Sequence, residues 1–148
     1  MKNKILLILT LFSINFVLIE FSNAQDQFSF DVSEIEVLEN GNKIIGSKRG
    51  KISTGDGIII EADNFTYKKI ENVLNANGNV IIDDTINDYK IYSNNIKYEK
   101  NKEEIFSKGK TKSEISSRFI LNSSDVIFLI DKKILSSNKN TSLLDNNE

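Results

Sequence analysis

The 148-residue sequence contains no cysteine and no histidine. Without cysteine the chain can form no disulfide, so its stability must come from packing and hydrogen bonding. Without either residue, catalysis by a nucleophile paired with an imidazole is excluded, and so is a zinc site built from Cys and His. Proline is absent as well. We expect no metal, no cofactor and no catalytic centre of these kinds.

The charged residues also argue against catalysis and against binding of nucleic acid. The net charge is −2 and the isoelectric point is near 5.3, whereas binding to phosphates needs a clustered basic face. Two pairs of acidic residues, at 83–84 and 103–104, are adjacent in sequence, and adjacent strand residues point to opposite faces. Neither pair therefore converges for acid–base work, and Asp56 lacks the spaced acidic ligands of a calcium loop. Tight turns are the expected setting for these acids, and the chain is not expected to be an enzyme.

Residues 1–24 resemble a secretory signal peptide. Lys2 and Lys4 precede a mostly apolar stretch, and Ser22 and Ala24 supply small residues before a cleavage site. The alternative is an uncleaved membrane anchor, but polar residues interrupt a stretch that is shorter than the roughly 20 apolar residues of a membrane span. We predict cleavage after Ala24, a mature domain over residues 25–141, and a polar C-terminal tail over residues 142–148.

A repeat of about 30 residues organises the mature chain. Its anchors Val37, Tyr67, Tyr98 and Phe128 are separated by 30, 31 and 30 residues, and each is followed seven residues later by an aliphatic residue. The repeats alternate apolar with polar residues, as strands do, and polar or glycine-containing segments separate them. The pattern predicts short antiparallel strands in an all-β sandwich, barrel or jelly roll with stacked repeats. Gly78 and Gly109 are interpreted as turn residues.

The apolar residues of the repeats predict one shared face. They fall in phase along the strand pairs, so they should line the same side of the stacked layers. The twelve candidates are Ile35, Val37, Phe65, Tyr67, Leu74, Ala76, Ile96, Tyr98, Ile105, Val126, Phe128 and Leu135. The pattern is equally typical of a packed core and of an apolar groove that takes an acyl chain, and both interpretations stay open. The charged segments 68–72 and 99–104 are expected to be exposed hairpin tips.

The second repeat resembles the signature of the OstA-like (organic solvent tolerance-like) domain. That signature combines an Ala-x-x-apolar-x-Tyr segment with a Leu-x-Ala-x-Gly-Asn-Val segment. The matching positions here are Ala62, Phe65 and Tyr67, then Leu74, Ala76, Gly78, Asn79 and Val80. Residues 93–109 fit more loosely, and the resemblance spans about residues 28–139. The family includes LptA-type periplasmic bridge proteins, the periplasmic N-terminal domain of LptD-type translocons and, more distantly, LptC-type anchored partners.

The resemblance implies a twisted antiparallel β-jelly roll that is open at both ends. It implies a non-enzymatic module that shields the acyl chains of lipopolysaccharide in an apolar groove on the way to the outer membrane. The twelve candidates would line that groove. Edge-strand pairing with like-folded transport proteins, including further copies of this chain, would join the modules. The expected location is the periplasm, with an association with the outer membrane left open. A stand-alone bridge and a truncated translocon domain both fit, as does a structural or interaction domain with a packed interior and no lipid.

Overall fold

A computed structural model describes residues 28–146. The predicted signal peptide and its cleavage site lie outside the described residues. Within residues 28–146, no helix is long and apolar enough to cross a membrane. The described part consists of antiparallel strands in one sheet, with two single-turn 3₁₀ segments. The expectation of an all-β jelly roll is confirmed.

The sheet has ten strands. They are β1 (Ser29–Leu38), β2 (Lys43–Ser53), β3 (Ile58–Ala62), β4 (Asn64–Lys68), β5 (Val73–Asp84), β6 (Tyr89–Glu99), β7 (Glu104–Ile115), β8 (Phe119–Leu129), β9 (Ile134–Ser136) and β10 (Ser142–Asp145). Their order is β1-β2-β3-β5-β6-β7-β8-β10. The short strand β4 also pairs with β2 and β5, next to β3, and the short strand β9 pairs with β8, next to β10. Sequence neighbours therefore pair almost throughout.

A line of irregularities crosses the middle of the sheet. The register shifts between β1 and β2, between β5 and β6, between β6 and β7 and between β7 and β8, and Asp63 separates β3 from β4 at the same level. Bulges bend a strand and increase its twist, so a row of them folds the sheet along one line. We call the two parts the β4 half, which includes β9, and the β3 half, which includes β10. Each long strand contributes one segment to each half.

The two halves face each other and share one apolar core. Phe65 and Leu74 of the β4 half belong to the same buried cluster as Ile52, Ile60 and Ile82 of the β3 half. Each of these side chains is at most 1% exposed. Burial of one such side chain contributes roughly 1.5–3 kcal/mol, so the facing halves hold the chain without disulfides. We call the interface between the halves, which these side chains fill, the cleft.

The repeat appears as a stack of equivalent hairpins in the β4 half. Their tips are residues 39–42, 69–72, 100–103 and 130–133, and in each tip the fourth N–H donates to the first carbonyl. Adjacent tips are also bonded, because Lys69 N donates to the Asn42 carbonyl and Lys100 N donates to the Asn72 carbonyl. The seven-residue spacing of the sequence is the spacing of directly opposed residues across these tips, such as Tyr67 and Leu74.

Three expectations about the elements need correction. Gly78 and Gly109 do not lie in turns between strands; they lie inside β5 and β7 at the bulges, with φ near +80°. Strands β5 to β8 are 11 or 12 residues long rather than short, because each strand continues across the line of register shifts. Residues 142–145 are not tail but strand β10, which pairs with β8, and its Asp145 forms an ion pair with Arg118 in the turn that precedes β8.

Candidate functional site

The strand register places all twelve candidate residues on the inner face of the β4 half. Directly opposed residues of antiparallel strands share a face. One row runs across the strands through Val37, Ile44, Tyr67, Leu74, Tyr98, Ile105, Phe128 and Leu135. A second row runs through Ile35, Gly46, Phe65, Ala76, Ile96, Ser107 and Val126. Ile44, Gly46 and Ser107 complete these rows and were absent from the prediction.

Exposure divides the twelve into a packed majority and an open end. Phe65, Tyr98 and Phe128 are at most 1% exposed, and six others are buried with them. Leu135 is partly buried against the same cluster. Ile35 and Val37 are 50% and 58% exposed, respectively. The inner face is therefore covered along most of its length and opens to solvent at β1.

The opposite wall of the cleft comes from the β3 half and was missing from the predicted site. One row contains Phe30, Ile52, Ile60, Ile82, Ile91, Ser113, Leu121 and Leu143. The signal for it was present, because Phe30, Ile60, Ile91 and Leu121 follow the same spacing of 30, 31 and 30 residues. Two facing walls need two sets of apolar residues that recur with the same period, and this is the second set.

The lining turns polar where β7 crosses the cleft. Ser107, Thr111 and Ser113 are all buried there. The hydroxyl oxygens of Ser107 and Thr111 lie 2.6 Å apart in a hydrogen bond, whereas Ser113 Oγ has no hydrogen-bond partner among residues 28–146. The apolar walls are therefore most continuous from β2 to β6. The β7 segment adds hydroxyl groups that a bound molecule could engage.

The hairpin tips of the β4 half meet the turns of the β3 half along one side of the cleft. We call this side the mouth. Phe28 enters from the β1 end and packs edge-on against Tyr67 and Tyr98, with ring centroids 4.9 and 5.5 Å apart. Further along, the ring of Tyr89 lies 5.2 Å from that of Phe128. The Tyr89 hydroxyl donates to the Lys133 carbonyl at 3.2 Å. Aromatic contacts thus close the mouth from β4 to β8.

Lys100 also bridges the mouth, which corrects the expectation that its hairpin tip is simply solvated. Its side chain is only 9% exposed. The ammonium group pairs with Asp56 of the β3 half and, at 2.7 Å, with Glu103 of its own tip. Asp56 does lie in a turn, since Gly57 N donates to the Thr54 carbonyl. The tip of the third hairpin is therefore a point of contact between the halves.

Charge at the mouth is held by mutual pairing. Burial is the largest single influence on Asp56 and opposes its ionisation, but the hydrogen bonds from Lys100 and Thr54 and the charge of Lys100 together lower the pKa of the carboxyl. Burial likewise opposes the charge of Lys100, while Asp56 and Glu103 raise the pKa of its ammonium group. Both groups are ionised at neutral pH. Burial, with the nearby Glu103 carboxylate, raises the pKa of Tyr98 far above its usual range, so its hydroxyl stays protonated.

Two tyrosines place their rings inside the cleft and their hydroxyls at its mouth. Tyr67 Oη donates to Asn72 Oδ1 at 3.0 Å, and Tyr98 Oη donates to Glu103 Oε2 at 3.1 Å. The acceptor is the fourth tip residue in both hairpins, where the backbone is left-handed. The same sequence spacing thus produces the same bond in consecutive repeats.

The described part of the chain offers an apolar binding surface. Within residues 28–146, no three acidic side chains are grouped so that they could hold a metal ion. The site consists of two facing apolar walls with a polar rim. Separation of the walls would expose a surface that can bury an aliphatic chain, at roughly 0.8 kcal/mol for each CH₂.

Comparison with known proteins identifies the fold through structure alone. No protein-family model matches the sequence, and no curated protein matches it. The structure is similar to the crystal structure of LptH, the LptA-homologous periplasmic component of the conserved lipopolysaccharide transport device from Pseudomonas aeruginosa. The TM-score is 0.71 and the sequence identity is 11%, over 83% of this chain and 97% of the LptH chain. The chain has an LptA-type, OstA-like fold.

Proposed function

We propose that this chain is a non-enzymatic periplasmic module that shields the acyl chains of lipopolysaccharide between its two walls during transport to the outer membrane. The observation that carries the proposal is the pair of facing apolar walls. Both walls cross all the strands of the sheet, and the inner face opens to solvent at Ile35 and Val37. An acyl chain is a long apolar rod, and a wall of uniform apolar rows offers it similar affinity at successive positions. Such a surface binds the chain without a deep trap.

The structural likeness supports the transport role and the location. LptH is described as a periplasmic component of a lipopolysaccharide transport device. A signal peptide over residues 1–24, if cleaved after Ala24, would deliver this chain to the same compartment. A bridge between the membranes and the N-terminal domain of a translocon stay open as alternatives, since apolar walls that shield acyl chains fit either role.

We further propose that like-folded domains, including second copies of this chain, pair with its edge strands. Among residues 28–146, β1 has β2 as its one neighbour along ten residues, and β9 and β10 form the other edge of the sheet. Unpaired backbone donors and acceptors on an edge are a template for another strand. Pairing at β1 would extend the inner rows directly beyond Ile35 and Val37.

End-to-end pairing predicts a mass that rises with concentration. Sedimentation velocity over a hundredfold concentration range should show dimers and higher species growing in proportion to loading. The mass should return to that of a monomer on dilution, because the contact is a reversible strand pairing. A protein that remains monomeric at the highest concentration would contradict pairing between copies of this chain.

A structural or interaction domain without lipid is the second candidate. The observation that favours it is the tight packing of the inner rows between β4 and β8, where side chains of both walls fill the cleft. Under this alternative the exposed apolar residues at β1 would serve partner binding alone. The two candidates differ in whether lipid touches the inner face.

Photo-crosslinking at the open end of the cleft separates the two candidates. Val37 tolerates replacement by a photoreactive phenylalanine because it is 58% exposed. Its neighbour Glu36 lies on the opposite face of the same strand and is also exposed, so it is a matched control. In cells, we expect lipopolysaccharide adducts at position 37 at about tenfold the yield at position 36.

A difference in yield reports contact with the inner face, because the two positions are adjacent and exposed on one strand but lie on opposite faces of it. Equal yields at the two positions would show that lipid contacts the surface without entering the cleft. Protein adducts at position 37 with no lipid adducts would favour the interaction domain.

A further inference from the structure

The mouth of the cleft is held by contacts that differ in kind from those of the walls. The walls are joined by many interlocking aliphatic side chains, whereas the mouth at the third hairpin is joined by one ion pair and one aromatic ring. Lys100 and Asp56 connect the tips of the two halves. Other ion pairs, such as Lys68 with Glu71, lie within one half.

The ion pair between Asp56 and Lys100 joins the two halves at the rim of the core rather than inside it. The Lys100 side chain is 9% exposed, whereas that of Asp56 is 36% exposed, so water reaches the pair from the Asp56 side. Each partner favours the charged form of the other, so the pair stabilises the closed tips, although desolvation of Lys100 offsets part of that gain. The pair therefore specifies which tips meet, and both charges return to water when the tips separate.

The aromatic contact is carried by Phe28 at the start of the described chain. Phe28 is 7% exposed and lies across the rings of Tyr67 and Tyr98, which belong to the β4 half. The residue itself precedes β1 directly. Its ring therefore covers the inner row of the β4 half at the position where an acyl chain entering from the open end at Val37 would first meet the packed part.

We infer that Phe28 and the Asp56–Lys100 pair form a latch that keeps the cleft closed and opens when an acyl chain enters. This inference rests on the proposed function, because it assigns the step that admits lipid to the inner face. Withdrawal of Phe28 frees the two tyrosine rings, and separation of Lys100 from Asp56 lets the tips of the halves part. The incoming chain then takes the apolar contacts that Phe28 made. The sheet thus has two states, a closed, packed state and an open, lipid-binding state. The two states differ in how far the sheet is bent along its line of bulges.

Uptake of cis-parinaric acid by the full-length purified protein tests the latch. This fatty acid becomes fluorescent in apolar surroundings, so stopped-flow fluorescence measures its rate of entry. Lys100→Met removes the charge and keeps most of the side-chain volume. We expect it to raise the uptake rate about tenfold, since loss of the pair increases the population of the open state. Phe28→Ala should raise the rate without touching the pair.

The chain offers matched controls for both variants. Lys69 occupies the position of Lys100 in the preceding repeat but is exposed, so Lys69→Met should leave the rate unchanged. Lys100→Arg should keep the slow rate, because it keeps a positive charge between Asp56 and Glu103. If Lys100→Met does not fold, Phe28→Ala and Lys100→Arg test the latch.

The outcomes separate the latch from the proposed function. Equal, fast uptake by the wild type, Lys100→Met and Phe28→Ala would overturn the latch and leave lipid binding intact. Failure of all three folded proteins to bind the fatty acid would contradict lipid binding, and the latch would fail with it. A rate increase in Lys69→Met equal to that in Lys100→Met would show that loss of a tip charge, rather than opening of the mouth, sets the rate.

Discussion

Replacement of Phe65 by alanine is expected to lower the free energy of unfolding by about 3–5 kcal/mol. The ring is 1% exposed and packs within the cluster shared by both halves, so its loss leaves a cavity between the walls. A domain of this size has a total stability of roughly 5–15 kcal/mol. The variant should therefore unfold at a much lower urea concentration, as measured by circular dichroism.

Val37 is the matched control for Phe65. Both belong to the same predicted face, but Val37 is 58% exposed at the edge strand. Val37→Ala should change the free energy of unfolding by less than about 1 kcal/mol. Similar losses for the two variants would show that the inner face is equally packed along its length and that no open end exists at β1.

Replacement of Gly78 by alanine is expected to cost about 2–4 kcal/mol of folding stability. Gly78 has φ +79°, and an added Cβ would lie 2.5 Å from Asp63 Oδ2 and 3.0 Å from Asp63 Cβ. Asp63 cannot move aside freely, because its carboxylate accepts hydrogen bonds from Arg49 and from Asn79 Nδ2. The cost combines backbone strain with disruption of the fold line. Urea or thermal unfolding measures it.

Gly109 separates these two contributions. It occupies the equivalent bulge one repeat later and has φ +80°, but an added Cβ would meet nothing within 4 Å. Gly109→Ala should therefore cost only the backbone term, about 1–2 kcal/mol. If both variants lost the same amount, the contact with Asp63 would contribute nothing, and the bulges would matter through φ alone.

The fold could be predicted in most of its features from the repeat. Alternation of apolar and polar residues depends on the two-residue period of a strand, and the seven-residue spacing returned as the pairing across each tip. The bulges could not be predicted in the same way. Glycine supplies a positive φ equally well in a turn and in a bulge. The sequence therefore predicted turns at Gly78 and Gly109, where the structure has bulges.

The sequence predicted one apolar face of the candidate site but not the second face that packs against it. Tyr67, Tyr98 and Phe128 were placed on a common side because register follows from periodicity. Their partners across the cleft were missed, although Ile60 and Ile91 carry the same period. Lys100 gave no signal either, since a lysine at a polar tip is usually solvated and only its contact with Asp56 buries it.

The sequence by itself determined that this protein is a stack of β-hairpins with one apolar face and without the residues for cysteine or histidine chemistry. Periodicity suffices for that, because each hairpin is a local structure. Only the tertiary structure decided that the sheet folds along its bulges, that the face is packed from β4 to β8, and that it opens at Ile35 and Val37. Those features depend on which distant segments meet, and no local pattern encodes the meeting of Phe28, Asp56 and Lys100 at the mouth.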